Sequence, residues 1–96
     1  MTAARLIVRN PSGIHARPAA AFVRTAGRFQ STVTITNVTA GKGPVNAKSI
    51  LSLMPLGATM GSEIEVVAEG EDADAAIAAI REAVESGLGE TLETGT

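Results

Sequence analysis

Two rhythms of apolar and polar residues alternate along this chain. Apolar residues at every second position allow one face of an extended segment to be buried. Leu6 and Val8 do this between Arg5, Ile7 and Arg9, and Val33 and Ile35 do it among the threonines of Thr32 to Thr36. A short strand is expected near Val45 to Ala47, and Glu63 to Glu69 sets Ile64, Val66 and Ala68 on one face. Between these segments the spacing becomes helical. Pro18, Phe22 and Ala26 recur at four, with Ala19 and Val23 beside them, which predicts a helix from Ala16 to about Gly27. Ser49 to about Leu56 reads as a two-turn helix with Ser49 as its N-cap, weakened by Pro55 and ended by Gly57. Ala73, Ile77, Ile80 and Val84 form the apolar stripe of a third helix before Gly87, with Glu71, Asp72 and Asp74 near its positive end.

Turn formers separate the elements. Asn10-Pro11-Ser12-Gly13 closes the first strand, and Val38 to Gly43 forms the loop of a hairpin. Gly89 to Thr96 is polar and expected to fray. The order βαββαβα, with every strand alternating, favours an α+β fold: a four-stranded antiparallel sheet with three helices on one face. The expected core is Phe22, Val23, Phe29, Val33, Ile35, Leu53, Leu56, Ile64, Val66, Ile77, Ile80 and Val84.

Composition narrows what such a fold can do. With 96 residues, 45% of them apolar, the chain suits one domain, expected over 1–90 with a flexible tail over 91–96. No cysteine and a single histidine leave no material for disulfides, thiolate chemistry or an imidazole metal cluster, so neither metal nor cofactor is expected. Leu6-Ile7-Val8 is the only apolar run near the start, far below the ~20 residues that span a bilayer, so no membrane insertion and a cytoplasmic location are expected. Charge is sharply divided. Residues 1–62 hold seven Lys/Arg and no Asp/Glu, whereas residues 63–96 hold ten Asp/Glu against Arg81. Either the two parts attract each other within the fold or the first meets an anionic partner. A nucleic acid is disfavoured, because the only two aromatics fall at core spacing and no basic helical run exists.

His15 stands between the Gly13 turn and the first helix, at the N-cap, with Ala16 and Arg17 as the first helical positions. The opening amides of a helix lack internal partners, and the dipole adds roughly half a positive charge, so an anion is held well there. Arg17 adds a guanidinium, and Pro18 suits the first turn because its missing N–H costs nothing. A free imidazole titrates near ~6.5, so a neutral ring can attack phosphorus and later release the phosphoryl group. A capping or solvated surface histidine is the alternative at such a position.

The second helix is apolar nearly all round, through Ile50, Leu51, Leu53, Met54 and Leu56, yet two turns on a sheet can bury only one side. Leu53 and Leu56 are assigned inward. Ile50, Leu51 and Met54 are assigned outward, as a docking patch with Ala20, Arg24 and Arg28 of the first helix.

Asn10-Pro11-Ser12-Gly13-Ile14-His15-Ala16-Arg17-Pro18-Ala19 resembles the active-site segment of HPr, the histidine phosphocarrier family of the bacterial phosphoenolpyruvate-dependent sugar phosphotransferase system. The resemblance continues through Phe22-Val23, Val45 to Ile50, Leu53 to Gly57, Gly61 to Ile64 and Ala68 to Asp72. It implies an open-faced β-sandwich in which His15 accepts a phosphoryl group on Nδ1 from enzyme I and passes it to enzyme IIA domains. Such a carrier turns over no small substrate alone. The resemblance also implies that Arg17 neighbours the phosphoryl group, whose oxygens meet the amides of Ala16 and Arg17. Ser12 stands where asparagine is frequent and can bond the ring or the phosphate. Ser49 falls on the family's regulatory serine, a target of an HPr kinase/phosphorylase in some lineages, although a plain N-cap is an equal reading. A transcription regulator is a further implied partner, and a monomer is expected. Two departures concern docking: Asn37 to Val45 is about three residues longer than the common pattern, and Pro55 replaces a residue that is usually not proline. Two alternatives stay open: a regulatory binding module of the same fold, or a specialised carrier for nitrogen control, fructose or dihydroxyacetone, derived from a longer fusion chain.

Overall fold

The computed structural model describes residues 1–90 and contains the expected βαββαβα order. Its elements are β1 (Thr2–Ile7), α1 (Ala16–Gly27), β2 (Thr32–Asn37), β3 (Lys42–Asn46), α2 (Ile50–Leu53), β4 (Glu63–Glu69) and α3 (Ala73–Glu85). The expected tail over 91–96 lies outside the described residues. All strand pairs are antiparallel, in the order β1-β4-β2-β3. The register follows from the alternation. Val66 faces Ala4 on one side and Ile35 on the other, and Ile64 faces Leu6, so the apolar positions of three strands fall on one surface. The helices cover that surface, with α3 against β1 and β4, and with α1 between α3 and α2.

The opposite face of the sheet is polar. Arg5 Nη1 lies 3.5 Å from Glu63 and Arg5 Nε lies 3.7 Å from Glu65, exposed pairs worth about 0–1 kcal/mol each. These are the points at which the basic and acidic parts of the chain form ion pairs among the described residues. Asp72, ahead of α3, accepts instead from the Ser31 hydroxyl and from the backbone N–H of Gln30 and Ser31. Those donors, the hydroxyl foremost, hold its carboxyl below the usual carboxylate range.

Ten of the expected core residues are buried, while Val23 and Phe29 are half-buried against the core. Phe29 follows the end of α1, where Arg28 lies over its ring and Lys48 Nζ donates to its carbonyl at 2.7 Å. Periodicity overlooked Ile14 and Leu88, both buried and both outside regular elements. The hairpin differs in position as well. Lys42–Asn46 forms its second strand after a bulge near Asn37, and Asn37 is buried, donating to Leu56 O and accepting from Ala40 N.

The helix expected from Ser49 to Leu56 is shorter. Ser49 Oγ accepts from Ser52 N at 3.3 Å and starts α2, but Met54–Leu56 is a single 3-10 turn. Pro55 cannot donate to Leu51 O, and its ring crowds that carbonyl, so the final turn tightens. Gly57, at φ 64°, then ends it.

Candidate functional site

The site grows from the connection between β1 and α1. Gly13 N donates to Asn10 O, Asn10 Nδ2 donates to Gly13 O, and Ile14 N donates to Ala58 O at 2.8 Å. These bonds fix a tight turn against the segment that follows α2. Gly13 is required there, because φ is +67° and an added Cβ would lie 2.3 Å from Ala58 O. Ile14 is buried and anchors the chain, while the extended backbone of His15 leaves the imidazole exposed.

His15 is the N-cap of α1, as expected, and its ring makes no capping bond. Its carbonyl accepts from Ala19 N, the first hydrogen bond of the helix. Ala16 departs from expectation. At φ 51° it is left-handed, a conformation that costs a non-glycine residue about 1–3 kcal/mol, so regular helical geometry begins at Arg17. Among the described residues, neither Ala16 N–H nor Arg17 N–H has a backbone partner. Ser12, Ala16, Arg17 and Pro18 line one open cavity of about 420 Å³.

Glu90 closes that cavity and was missed in the sequence. Its Oε1 accepts from Asn10 Nδ2 and Ser12 N, both at 3.0 Å, and its Oε2 accepts from Ser12 Oγ at 2.6 Å. The Ser12 hydroxyl, Asn10 and Ser12 N–H, with the Arg17 charge as a smaller cause, hold the carboxyl below its ordinary range. Ser12 is therefore engaged with a carboxylate rather than with the ring. The fraying expected from Gly89 onward does not hold for Gly89 and Glu90. The reason lies at the end of α3, where Gly87 N donates to Val84 O and Leu88 N to Ala83 O, a Schellman closure with Gly87 at φ 96°. Leu88 is buried, so the chain turns back toward Ser12. Gly87 followed by an apolar residue was the available sign.

The residues expected to dock partners divide. Leu51 is 81% exposed and Ile50 40%, whereas Met54 is half-buried against the core because the 3-10 turn draws it in. On α1, beside α2, Arg24 is exposed and Ala20 is half-buried, and Arg28, the C-cap just past its end, is exposed. Ala21, Arg24, Thr25 and Arg28 line a shallow basic groove of about 420 Å³. Ser49 is half-buried at the head of α2. Among the described residues, no helix is long and apolar enough to cross a membrane.

Comparison with known proteins decides the family. The family described as the PTS HPr component phosphorylation site matches residues 2–86. The chain belongs to the HPr family. It is 48% identical over 73 residues to the phosphocarrier protein HPr of Treponema pallidum, covering 76% of this chain and 80% of that one. The crystal structure of HPr-C-His from Thermoanaerobacter tengcongensis superposes with a TM-score of 0.88 at 40% identity, covering 96% of this chain and all of the other. The multiphosphoryl transfer protein of Salmonella typhimurium is 40% identical over 87 residues, 91% of this chain but 23% of that longer protein. The HPr open-faced sandwich inferred from the resemblance is thus the fold observed, and the phosphotransferase system is the setting of the family.

Proposed function

We propose that the chain carries a phosphoryl group on His15 from enzyme I to enzyme IIA domains, as a monomer in the cytoplasm. In the loading step the His15 Nδ1–phosphorus bond forms while the bond from phosphorus to enzyme I breaks. Unloading to an enzyme IIA domain reverses the roles, with His15 as the leaving group. The N–H groups of Ala16 and Arg17 receive the phosphoryl oxygens, and the Arg17 guanidinium offsets charge in both directions. The observation that carries this reading is an exposed imidazole at the head of a twelve-residue helix whose opening amides, among the described residues, have no backbone partner. The test is to mix the protein with phosphoenolpyruvate and enzyme I and weigh it. One acid-labile, alkali-stable phosphoryl group per chain is expected; no gain in mass contradicts the proposal.

Docking is assigned to Ile50 and Leu51 of α2, with Met54 contributing its accessible edge, and with Arg24 of α1 and its C-cap Arg28 forming a basic rim beside Ala20. An apolar centre with a basic rim suits acidic partners and brief encounters. Leu51→Asp tests this. Leu51 is so exposed that stability is expected to change by less than about 0.5 kcal/mol. The KM of enzyme I for the protein is expected to rise about tenfold with kcat little altered. An unchanged KM contradicts the assignment.

Ser49 is proposed as a second phosphorylation site, serving a kinase/phosphorylase and, once modified, a transcription regulator. Negative charge at the start of α2 is compatible with its dipole but opposes an acidic partner beside Leu51. Ser49→Asp is expected to keep the circular dichroism of the fold and to slow loading by enzyme I roughly tenfold. Loading at the parent rate contradicts the switch.

A further inference from the structure

Donors at the cavity that Ala16 and Arg17 line are already occupied by an anion that belongs to the chain. Ser12 gives both its hydroxyl and its N–H to Glu90, the buried Asn10 adds its Nδ2, and Arg17 lines the same cavity. An ionised carboxylate receiving three donors beside a guanidinium uses the same kind of recognition that a phosphoryl group needs. The placement is built rather than incidental. The Schellman closure at Gly87, the burial of Leu88 and the Glu90 N to Gly87 O bond of 2.9 Å all aim this side chain at Ser12. The bonds of its carboxylate hold it in the ionised state.

We propose that Glu90 is an internal competing anion, a positioning residue that holds Ser12 in the unloaded protein and opposes the phosphoryl group in the loaded one. The inference rests on the reading of His15 as the phosphoryl acceptor. A dianionic group arriving at His15 meets a carboxylate already seated on Ser12, and the two repel. Either Glu90 leaves and Ser12 turns to the phosphoryl oxygens, or both anions stay and strain the loaded state. In each case the loaded form is less stable than it would be without the carboxylate, and the phosphoryl group is handed on more readily. Ser12 is thus shared between two anions. Arg17 faces one anion in the unloaded protein and two in the loaded one.

The experiment measures the loading equilibrium. The full chain is incubated with enzyme I at a fixed ratio of phosphoenolpyruvate to pyruvate until the loaded fraction is constant, for the parent, Glu90→Gln and Glu90→Ala. Glu90→Gln retains one oxygen acceptor for Ser12 but lacks the charge, and Glu90→Ala removes the contact. Melting is followed in parallel. Glu90→Gln is expected to shift the equilibrium toward the loaded form by about tenfold, a shift a purely structural clamp would not produce. Glu90→Ala is expected to shift it in the same direction. If the parent loads on His15 and both variants share its equilibrium, or shift it toward the unloaded form, the inference fails while the acceptor reading stands. If the parent itself takes up no phosphoryl group on His15, the acceptor reading fails and the inference with it.

Discussion

His15→Ala is expected to abolish phosphoryl acceptance while leaving the fold unchanged. The two effects separate because, among the described residues, the imidazole does not help to hold the structure together. It is exposed and makes no capping bond, and the contribution of His15 to α1 is a backbone carbonyl that alanine supplies equally well. The change in stability should stay within about 0.5 kcal/mol, as for exposed residues outside special contacts. The chemistry has no substitute. The chain contains no other histidine and no cysteine, so no second imidazole or thiol can take the group. Incubation with phosphoenolpyruvate and enzyme I should leave the mass of the variant unaltered and its thermal midpoint near that of the parent. Uptake of a phosphoryl group by the folded variant would contradict the assignment of His15.

Gly13→Ala is expected to damage fold and site together. The new Cβ would lie 2.3 Å from Ala58 O and 2.8 Å from Thr59 Cα, at a φ of +67° that alanine adopts only with strain. Neither neighbour is a flexible side chain that can swing aside. The turn must move away from Ala58, and the Ile14 N to Ala58 O bond of 2.8 Å is the first contact to suffer. Left-handed strain and overpacking together should cost about 3 kcal/mol, a large share of the 5–15 kcal/mol that usually holds a domain folded. Denaturant unfolding should show a lower midpoint at unchanged slope. Because His15 follows the anchor Ile14, the molecules that remain folded should also load more slowly. A variant with the midpoint and loading rate of the parent would show that this turn does not position the histidine.

The layout of the fold was legible because alternation and helical spacing report burial directly. Leu6, Val33, Ile35, Ile64 and Val66 lie on the inner face of the sheet, and Phe22, Ile77, Ile80 and Val84 lie beneath the helices. What escaped depends on contacts between distant segments. Ile14 is buried because the turn it follows is tied to Ala58, and Leu88 because a glycine closure folds it back beneath α3. Neither lies in a periodic run. Pro55 announced a weak helix end, but the 3-10 turn that withdraws Met54 from the surface is a tertiary outcome.

The site was legible to a different degree. His15 at a helix start and Arg17 beside it are local features, visible in ten consecutive residues. The left-handed Ala16 is less visible, since nothing in an alanine marks such a backbone. Glu90 was hidden by its company of Gly89 and the polar residues after it, and only the packing of Leu88 brings its carboxylate to Ser12.

The most direct test of the account follows the ring nitrogens of His15 and the amides of Ala16 and Arg17 by nuclear magnetic resonance in the nitrogen-15-labelled protein. Spectra are compared before and after loading from phosphoenolpyruvate through enzyme I. Coupling of phosphorus to Nδ1 of His15 is expected, with both amide protons moving downfield as they take up phosphoryl oxygens, and all of these changes should reverse on unloading to an enzyme IIA domain. Phosphorus on any other residue, or on His15 with both amides unmoved, would contradict the account.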